Sequence, residues 1–162
     1  MAIVKKVLDY IEKIVIIGSI ITFSIMIIMG ILQVISRHIP GSNLYFTEEL
    51  ARFMFIWAVF LASAICTRKQ SHAAIELFVS WMPKGLKKIS LFIASVCSLF
   101  FFALIFIKGI QLTMVTWSQA SPAMEIPMGI IYLAIPVGGF LMLIFTIENI
   151  YKEIINSSET AA

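Results

Sequence analysis

The side chains that could perform acid–base, redox or metal chemistry are few and widely spaced in this sequence. His38 and His72 flank one long apolar segment, so a helix would hold them at opposite ends, too far apart to share a haem or a metal ion. Cys66 and Cys97 lie in or beside apolar segments and are interpreted as small packing residues, since the spacing fits neither a zinc site nor a disulfide framework. The sequence therefore predicts no catalytic site and no cofactor in this chain.

A compact group of charges, Glu48, Glu49 and Arg52, stands at the beginning of the same apolar segment. Thr47 is predicted to be the N-cap of a helix, and the two glutamates then lie in its first turn, where the helix dipole favours negative charge. Arg52 follows Glu48 by four residues and Glu49 by three, so it can pair with either. These three residues are interpreted either as helix-start charges or as a docking surface for another protein.

The overall composition limits where such charges can lie. Of the 162 residues, 60% are hydrophobic and 13% are charged, against about half and about a quarter in soluble domains. So few charges could not cover the surface of a soluble globule, which excludes a soluble enzyme. The net charge is +3, but the basic residues lie in short flanks between apolar runs and form no face for a nucleic acid backbone.

Four apolar segments are long enough to cross a bilayer, for which a helix needs about 20 residues. They cover residues 14–36, 46–67, 89–112 and 126–148. The first exceeds the apolar part of a cleavable signal peptide and has no cleavage pattern at its end, so it is predicted to be a retained signal anchor. The predicted fold class is an all-α integral membrane protein that forms a single membrane domain over residues 1–162.

A further helix, too short and too mixed to span, is predicted between the second and third segments at residues 71–82. Its apolar side chains share one face and its polar side chains the other, which is typical of an amphipathic helix in the membrane interface. The lysines that follow are predicted to contact anionic phospholipid headgroups. The residues predicted to anchor this region are His72, Glu76, Trp81, Lys84, Lys87 and Lys88.

The distribution of lysine and arginine in the short flanks predicts the orientation. If the N-terminus is cytoplasmic, nine of these residues lie inside and three, Arg37, Arg52 and Lys108, lie outside. Both termini are therefore predicted to lie inside, and Glu48 and Glu49 to lie outside.

Apart from charges near their ends, including Arg52 and Lys108, the four segments contain no acid, lysine, arginine or histidine. Ionisable groups at membrane depth normally mark ion paths, so this chain is predicted to be an accessory or scaffold subunit. Pro136 withholds a hydrogen bond from the carbonyl of Tyr132 and predicts a kink, and a glycine pair permits close approach of a neighbouring helix. The residues predicted to pack on a partner subunit are Trp57, Pro127, Pro136, Gly138 and Gly139.

Three motifs follow one another along the chain. They are Thr47-Glu48-Glu49-Leu50-Ala51-Arg52-Phe53 with Trp57, then Arg68 with His72 and Ile75-Glu76, then Ser121 to Gly129 with Tyr132, Pro136 and Gly138. In this order, with four spans and an interfacial helix, they resemble the small membrane subunit of tripartite ATP-independent periplasmic (TRAP) transporters, the DctQ-type family. The resemblance covers about residues 14–150.

This resemblance implies a three-part importer. A periplasmic substrate-binding protein delivers an organic acid, and a large membrane subunit moves it with sodium in an elevator-like step. The chain would be the immobile scaffold, with Glu48, Glu49 and Arg52 helping to dock the binding protein and with sodium bound in the large subunit. Known family substrates include C4-dicarboxylates and sialic acids.

Two alternatives stay open. A self-contained homo-oligomeric transporter or channel would need a polar path, for which the segments offer Gln33, Gln111 and scattered serines and threonines. An integral membrane enzyme would need a catalytic constellation, and the sequence offers none.

Overall fold

The structure of the chain is a computed structural model that describes residues 2–38, 45–69 and 84–159. Apart from one isolated β-bridge between Ala120 and Pro127, regular structure in these residues is helical. The helices are α1 (Ala2–Ser36), α2 (Tyr45–Arg68), α3 (Lys84–Thr116), α4 (Met128–Tyr132) and α5 (Ala134–Glu159).

In the part of the chain that the structure describes, four helical segments are long and apolar enough to cross a membrane, as predicted: Lys5–Ser36, Tyr45–Arg68, Ile93–Thr116 and Met128–Lys152. The helices themselves extend further than the predicted segments. α1 has 35 residues and α3 has 33, about 50 Å each at 1.5 Å per residue. Both therefore project beyond a hydrocarbon layer of about 30 Å. The apolar run marks the part in lipid, whereas the flanking lysines, glutamates and leucines are good helix formers and continue the helix.

The predicted N-cap of the second helix is wrong. α2 begins at Tyr45, so Thr47 lies inside the first turn, and its side chain is fully buried. Because α2 begins two residues earlier, Thr47 is itself a helical residue. Of the two glutamates predicted to lie in the first turn, Glu48 does and Glu49 lies just after it.

The helices form a row in the order α1, α2, α4–α5, α3. α1 packs on α2, α2 packs on α5 and α4, and α3 packs on the other side of α4 and α5. Within the described residues, no Cα atom of α1 lies within 8 Å of a Cα atom of α3 or α5. A single row leaves both of its broad faces uncovered. Large apolar side chains along α1 and α3 are accordingly exposed, including Ile17, Ile20, Phe100 and Phe101.

A small apolar cluster joins the members of the row. It consists of Val15 of α1, Ala64 of α2, Phe102 of α3, and Met142 and Phe145 of α5. Ala64 and Phe145 have no exposed surface.

The α4–α5 segment is interrupted where Pro136 predicts a kink. α4 ends at Tyr132 and α5 begins at Ala134. Pro136 has no N–H group and so cannot donate a hydrogen bond to the carbonyl of Tyr132. A Cβ atom placed on Gly109 of α3 would lie 2.9 Å from the backbone nitrogen of Pro136. The kinked part of α5 therefore lies directly against α3.

The predicted close approach at the glycine pair is confirmed, and the neighbours are helices of this chain. A Cβ atom on Gly138 would lie 2.8 Å from Cβ of Phe60 in α2, and one on Gly139 would lie 3.1 Å from the nitrogen of Phe106 in α3. One glycine thus faces each neighbour of α5, which allows α5 to fit between them.

The predicted interfacial helix and the lysines that follow it are described only in part. The interfacial helix at residues 71–82, with His72, Glu76 and Trp81, lies outside the described residues. For Lys84, Lys87 and Lys88 the structure describes only the backbone, which belongs to the first turns of α3.

Candidate functional site

Several threonine hydroxyls within the spans are bonded to the backbone of their own helix. The hydroxyl of Thr22 donates to the carbonyl of Gly18 at 2.9 Å, that of Thr113 to Gly109 at 2.9 Å, and that of Thr146 to Met142 at 2.8 Å. Such hydroxyls are satisfied locally and leave little capacity to line a polar path. The groups that can do chemistry are gathered at the two ends of the row.

One end carries a cluster of charges that we call the Arg68 cluster, formed by Asp9, Glu12, Arg68, Glu148 and Lys152. Arg68 is the last residue of α2, and 6% of its side chain is exposed. The acids come from the first part of α1 and from α5. Arg68 thereby joins α1 and α5, whose backbones do not meet.

The guanidinium group of Arg68 uses every one of its N–H donors. Nε donates to Glu148 Oε2 at 3.0 Å, and Nη2 donates to Glu148 Oε1 at 3.4 Å and to the carboxylate of Asp9. Nη1 donates to the carbonyl oxygen of Leu8 at 3.0 Å and to the carboxylate of Glu12. A guanidinium has five donors in a planar fork, so no donor is left for another ligand.

Further contacts of α5 surround this group. The guanidinium carbon of Arg68 lies 5.4 Å from the centre of the Phe145 ring, a cation–π distance. Lys152 Nζ pairs with Glu148 Oε1 at 2.7 Å, and Asn149 Nδ2 donates to the carbonyl of Thr67 at 2.8 Å. A buried charge is tolerated when it is paired and fully hydrogen-bonded, and Arg68 meets both conditions.

The sequence pattern does not predict this cluster, since it presents Arg68 only as a flanking positive charge and as part of a family motif. A signal was available, because Arg68 and Glu148 each end an apolar segment and Asp9 and Glu12 precede one, all at the same predicted membrane face. Which acids bond to Arg68 depends on which helices are neighbours, and the order of the helices cannot be derived from the sequence pattern.

The opposite end of the row holds the loop between α3 and α4, residues 117–127. This loop is closed on itself: Met128 N donates to Gln119 O at 2.8 Å and Ser121 N donates to Ile126 O at 2.9 Å. Ser121 is nearly fully buried, and Glu125 has the left-handed backbone angle φ of 54°. The loop is therefore a folded turn rather than a simple connection.

Glu49 ties this loop to α2. Its Oε2 atom accepts hydrogen bonds from the backbone N–H groups of Ala123 at 3.0 Å and of Met124 at 2.8 Å. A carboxylate that accepts from two successive N–H groups makes charge-assisted bonds, which are stronger than neutral ones. The carboxylate of Glu49 thus acts as a clamp between the start of α2 and the α3–α4 loop.

Glu48 and Arg52 form a separate, exposed pair. Arg52 Nη2 lies 3.1 Å from Glu48 Oε1, and the two side chains are 68% and 53% exposed. The sequence allowed Arg52 to pair with either glutamate, and the structure selects Glu48. The three residues predicted for docking therefore divide into a loop clamp and a surface pair.

A cavity of about 340 Å³ lies between α2, α4 and the loop. Its apolar floor includes Phe53, Ile56 and Ile131, and its rim carries Tyr45, Glu48, Glu49, Arg52 and Tyr132. The cavity is therefore lined by apolar side chains together with charges of both signs.

The residues predicted to pack on a partner lie in different environments. Pro136, Gly138 and Gly139 are buried within the row, Trp57 of α2 is half-buried, and Pro127 is exposed just before α4. Their contact with another subunit stays a prediction. Among residues 2–38, 45–69 and 84–159, no group of three or more histidine, cysteine or acidic side chains is arranged to hold a metal ion.

Comparison with known proteins identifies the family. The model of the DctQ component of tripartite ATP-independent periplasmic transporters matches residues 26–156. A putative TRAP transporter small permease protein of Haemophilus influenzae is 26% identical over 151 residues, which is 91% of this chain and 92% of that protein.

Two further relatives differ in length. The sialic acid TRAP transporter permease protein SiaT of Haemophilus influenzae is 33% identical over 122 residues, which is 72% of this chain but 19% of that longer protein. The C4-dicarboxylate TRAP transporter small permease protein DctQ of Rhodobacter capsulatus is 29% identical over 104 residues, 63% of this chain and 46% of that protein. The chain therefore belongs to the DctQ family of TRAP transporter small permease subunits, multi-pass proteins of the inner membrane.

Proposed function

We propose that this chain is the immobile scaffold on which the large TRAP membrane subunit moves an organic acid across the membrane. The uptake is coupled to sodium and depends on a periplasmic substrate-binding protein. The sodium sites and the substrate path lie in the large subunit, and this chain binds no cofactor of its own. The DctQ family is a transporter component rather than an enzyme family.

The observation that supports this role most directly is the separation of polar and apolar surface. Among the described residues, the charges that bond across the row lie at its two ends. The hydroxyls of Thr22, Thr113 and Thr146 between them bond to their own helices, and the broad faces expose apolar side chains. Ion-coupled transport uses ionisable or oxygen-rich sites near mid-membrane, often at unwound helices. The break between α4 and α5 is packed against Gly109 and offers no such site.

The partner is supported by the longer relative SiaT. In that sialic acid permease protein, the part similar to this chain is one segment of a much longer chain. We infer that this chain meets the remainder as a separate large subunit. The sialic acid and C4-dicarboxylate proteins also motivate the proposed substrate class, an organic acid.

The position in the membrane is part of the proposal. Both termini are placed inside, so the Arg68 cluster faces the cytoplasm and the Glu49 loop faces the periplasm. The chain forms one membrane domain over residues 1–162. Residues 71–82 form the interfacial helix, and Lys84, Lys87 and Lys88 bind phospholipid headgroups. On the periplasmic side, Glu48, Glu49 and Arg52 contribute to docking of the binding protein.

Reconstitution in liposomes tests the proposed function. The chain alone, the large subunit alone, and both together are each supplied with the binding protein and an inward sodium gradient. Uptake of a labelled sialic acid or C4-dicarboxylate is measured. We expect uptake only when both membrane subunits are present, and loss of uptake when the sodium gradient is collapsed.

The same experiment can contradict the proposal in two ways. Uptake by this chain alone would favour a self-contained homo-oligomeric transporter. Full uptake by the large subunit alone would show that no scaffold is needed.

A further inference from the structure

We propose that Arg68 is the positioning residue that fixes α1 in the helix row, and that this role requires the forked guanidinium group rather than a positive charge alone. The inference concerns the fold of the chain itself. It therefore does not depend on the scaffold function proposed above.

The first reason is that α1 has a neighbour on one side only. In the described part of the chain, it packs on α2 and makes no backbone contact with α3 or α5. Its other surfaces carry exposed isoleucines along the whole span. Lipid tails are as apolar as these side chains. The hydrophobic effect therefore gives α1 a similar free energy whether it packs on the row or lies alone in the bilayer. Van der Waals packing of α1 on α2 and specific polar contacts together determine where α1 lies.

The second reason is the direction of the bonds that Arg68 makes. Nη1 and Nη2 reach α1 through the carbonyl of Leu8 and the carboxylates of Asp9 and Glu12, while Nε and Nη2 reach Glu148 of α5. One planar group thus holds α1 and α5 at once from the end of α2. A lysine ammonium has three donors at a single point, so it can satisfy one of these helices but not both.

The third reason is what remains when Arg68 is removed. The cluster contains three carboxylates, and Lys152 pairs with Glu148 alone. Without the guanidinium, Asp9 and Glu12 of α1 face Glu148 of α5 with no cation between them. Removing one partner of a buried ion pair lowers the stability of the fold far more than replacing the whole pair by neutral groups does. The repulsion acts between α1 and the rest of the row.

The test measures the contact between α1 and α2 directly. A Cβ atom on Gly18 would lie 3.4 Å from Cδ1 of Leu61, so the pair Gly18→Cys and Leu61→Cys is suited to a short thiol crosslinker. Cys66 and Cys97 are replaced by alanine in all variants. The full chain is expressed in membranes, and the crosslinking rate is measured with Arg68, Arg68→Lys and Arg68→Gln.

We expect both Arg68→Lys and Arg68→Gln to lower the α1–α2 crosslinking rate by about fivefold or more, given the cost of breaking a buried ion cluster. Arg52→Lys is the matched control. Arg52 bonds to one exposed carboxylate, so the same substitution there should leave the rate unchanged.

A rescue variant separates repulsion from a general loss of stability. Arg68→Leu alone should lower the rate. Arg68→Leu combined with Asp9→Asn, Glu12→Gln and Glu148→Gln should restore most of it, since no orphaned carboxylate remains.

A second cysteine pair shows whether the row is otherwise intact. Phe60→Cys and Gly138→Cys report the α2–α5 contact, where a Cβ on Gly138 would lie 2.8 Å from Cβ of Phe60. Because that Cβ itself crowds α2, each rate is compared with the rate of the same cysteine pair in the chain that keeps Arg68. This crosslink should persist in the Arg68 variants because α2 and α5 also pack directly. Loss of both crosslinks would overturn the assignment to α1. A normal α1–α2 rate in Arg68→Gln would overturn the positioning role, and a normal rate in Arg68→Lys would overturn the need for the guanidinium fork.

Discussion

Glu49 and Arg68 lie nineteen residues apart on α2, and each makes the polar contacts at one end of the helix row. At 1.5 Å per residue this separation is about 28 Å, close to the thickness of the hydrocarbon layer. Glu49 clamps the α3–α4 loop, and Arg68 joins α1 to α5. α2 therefore carries the residues that make polar contacts with its neighbours at both ends of the helix row.

This arrangement suits a subunit that keeps its shape while a partner moves. The polar contacts lie at the two ends of the row, and the packing between them depends on glycines and a few buried apolar side chains. The exposed apolar faces are free to meet lipid or the large subunit.

The clamp predicts a specific change in backbone protection. Glu49→Ala should speed hydrogen exchange of the Ala123 and Met124 amides by about tenfold or more, because bonds to a charged group contribute about 1.5–3 kcal/mol. Hydrogen–deuterium exchange of the peptide covering residues 117–127, analysed by mass spectrometry, measures this change.

Glu48→Ala is the control for the clamp. Glu48 makes an exposed pair with Arg52, and such pairs contribute about 1 kcal/mol or less. Its exchange pattern in the loop should match that of the unchanged chain. Equal exchange in the two variants would show that the carboxylate of Glu49 does not hold the loop.

The close approach of α5 to α2 predicts a strong effect of one methyl group. Gly138→Ala places a Cβ about 2.8 Å from Cβ of Phe60, and such overpacking costs about 1–3 kcal/mol. The Tm of the purified chain in detergent should fall by several degrees.

Gly30→Ala is the matched control, since a Cβ there meets nothing within 4 Å. That variant should be neutral or slightly stabilised because alanine favours a helix. A Tm for Gly138→Ala equal to that of Gly30→Ala would contradict the packing.

The proposed docking role predicts a dependence on the concentration of the binding protein. Glu48→Gln and Arg52→Gln should each raise the concentration needed for half-maximal uptake by a few-fold and leave maximal uptake unchanged. Rim charges act mainly on encounter rate and salt dependence, so the effect should shrink at high salt. The control is Glu125→Gln, which changes an exposed acid of the α3–α4 loop. Uptake curves that coincide for all variants would make Glu48 and Arg52 ordinary helix-start charges.

The proposed orientation predicts which faces react with an impermeant thiol reagent. In a chain with Cys66 and Cys97 replaced, Ala120→Cys should be labelled in intact cells from the periplasmic side. Gly85→Cys should be labelled only after the cells are opened. Labelling of Gly85→Cys from outside would reverse the orientation and place the Arg68 cluster in the periplasm.

Several properties of this protein follow from the sequence alone because they depend on short stretches of chain. The four spans, a disturbance of the helix near Pro136 and the pairing of Arg52 with one of the two preceding glutamates were predicted from local patterns and are present in the described residues. Each depends on residues within one helix or on a run of apolar residues, and lipid solvation alone selects a helix for such a run.

The environments of Thr47, Glu49 and Arg68 depend instead on which helices are neighbours in the folded chain. Thr47 is a buried helical residue rather than an N-cap, Glu49 bonds to a loop more than seventy residues away, and Arg68 meets acids from α1 and α5. In lipid, every apolar face of a helix is equally soluble, so the hydrophobic pattern does not reveal helix order as it does in a soluble bundle. Close packing at glycines and saturation of the Arg68 donors select that order, and both are contacts between distant parts of the chain.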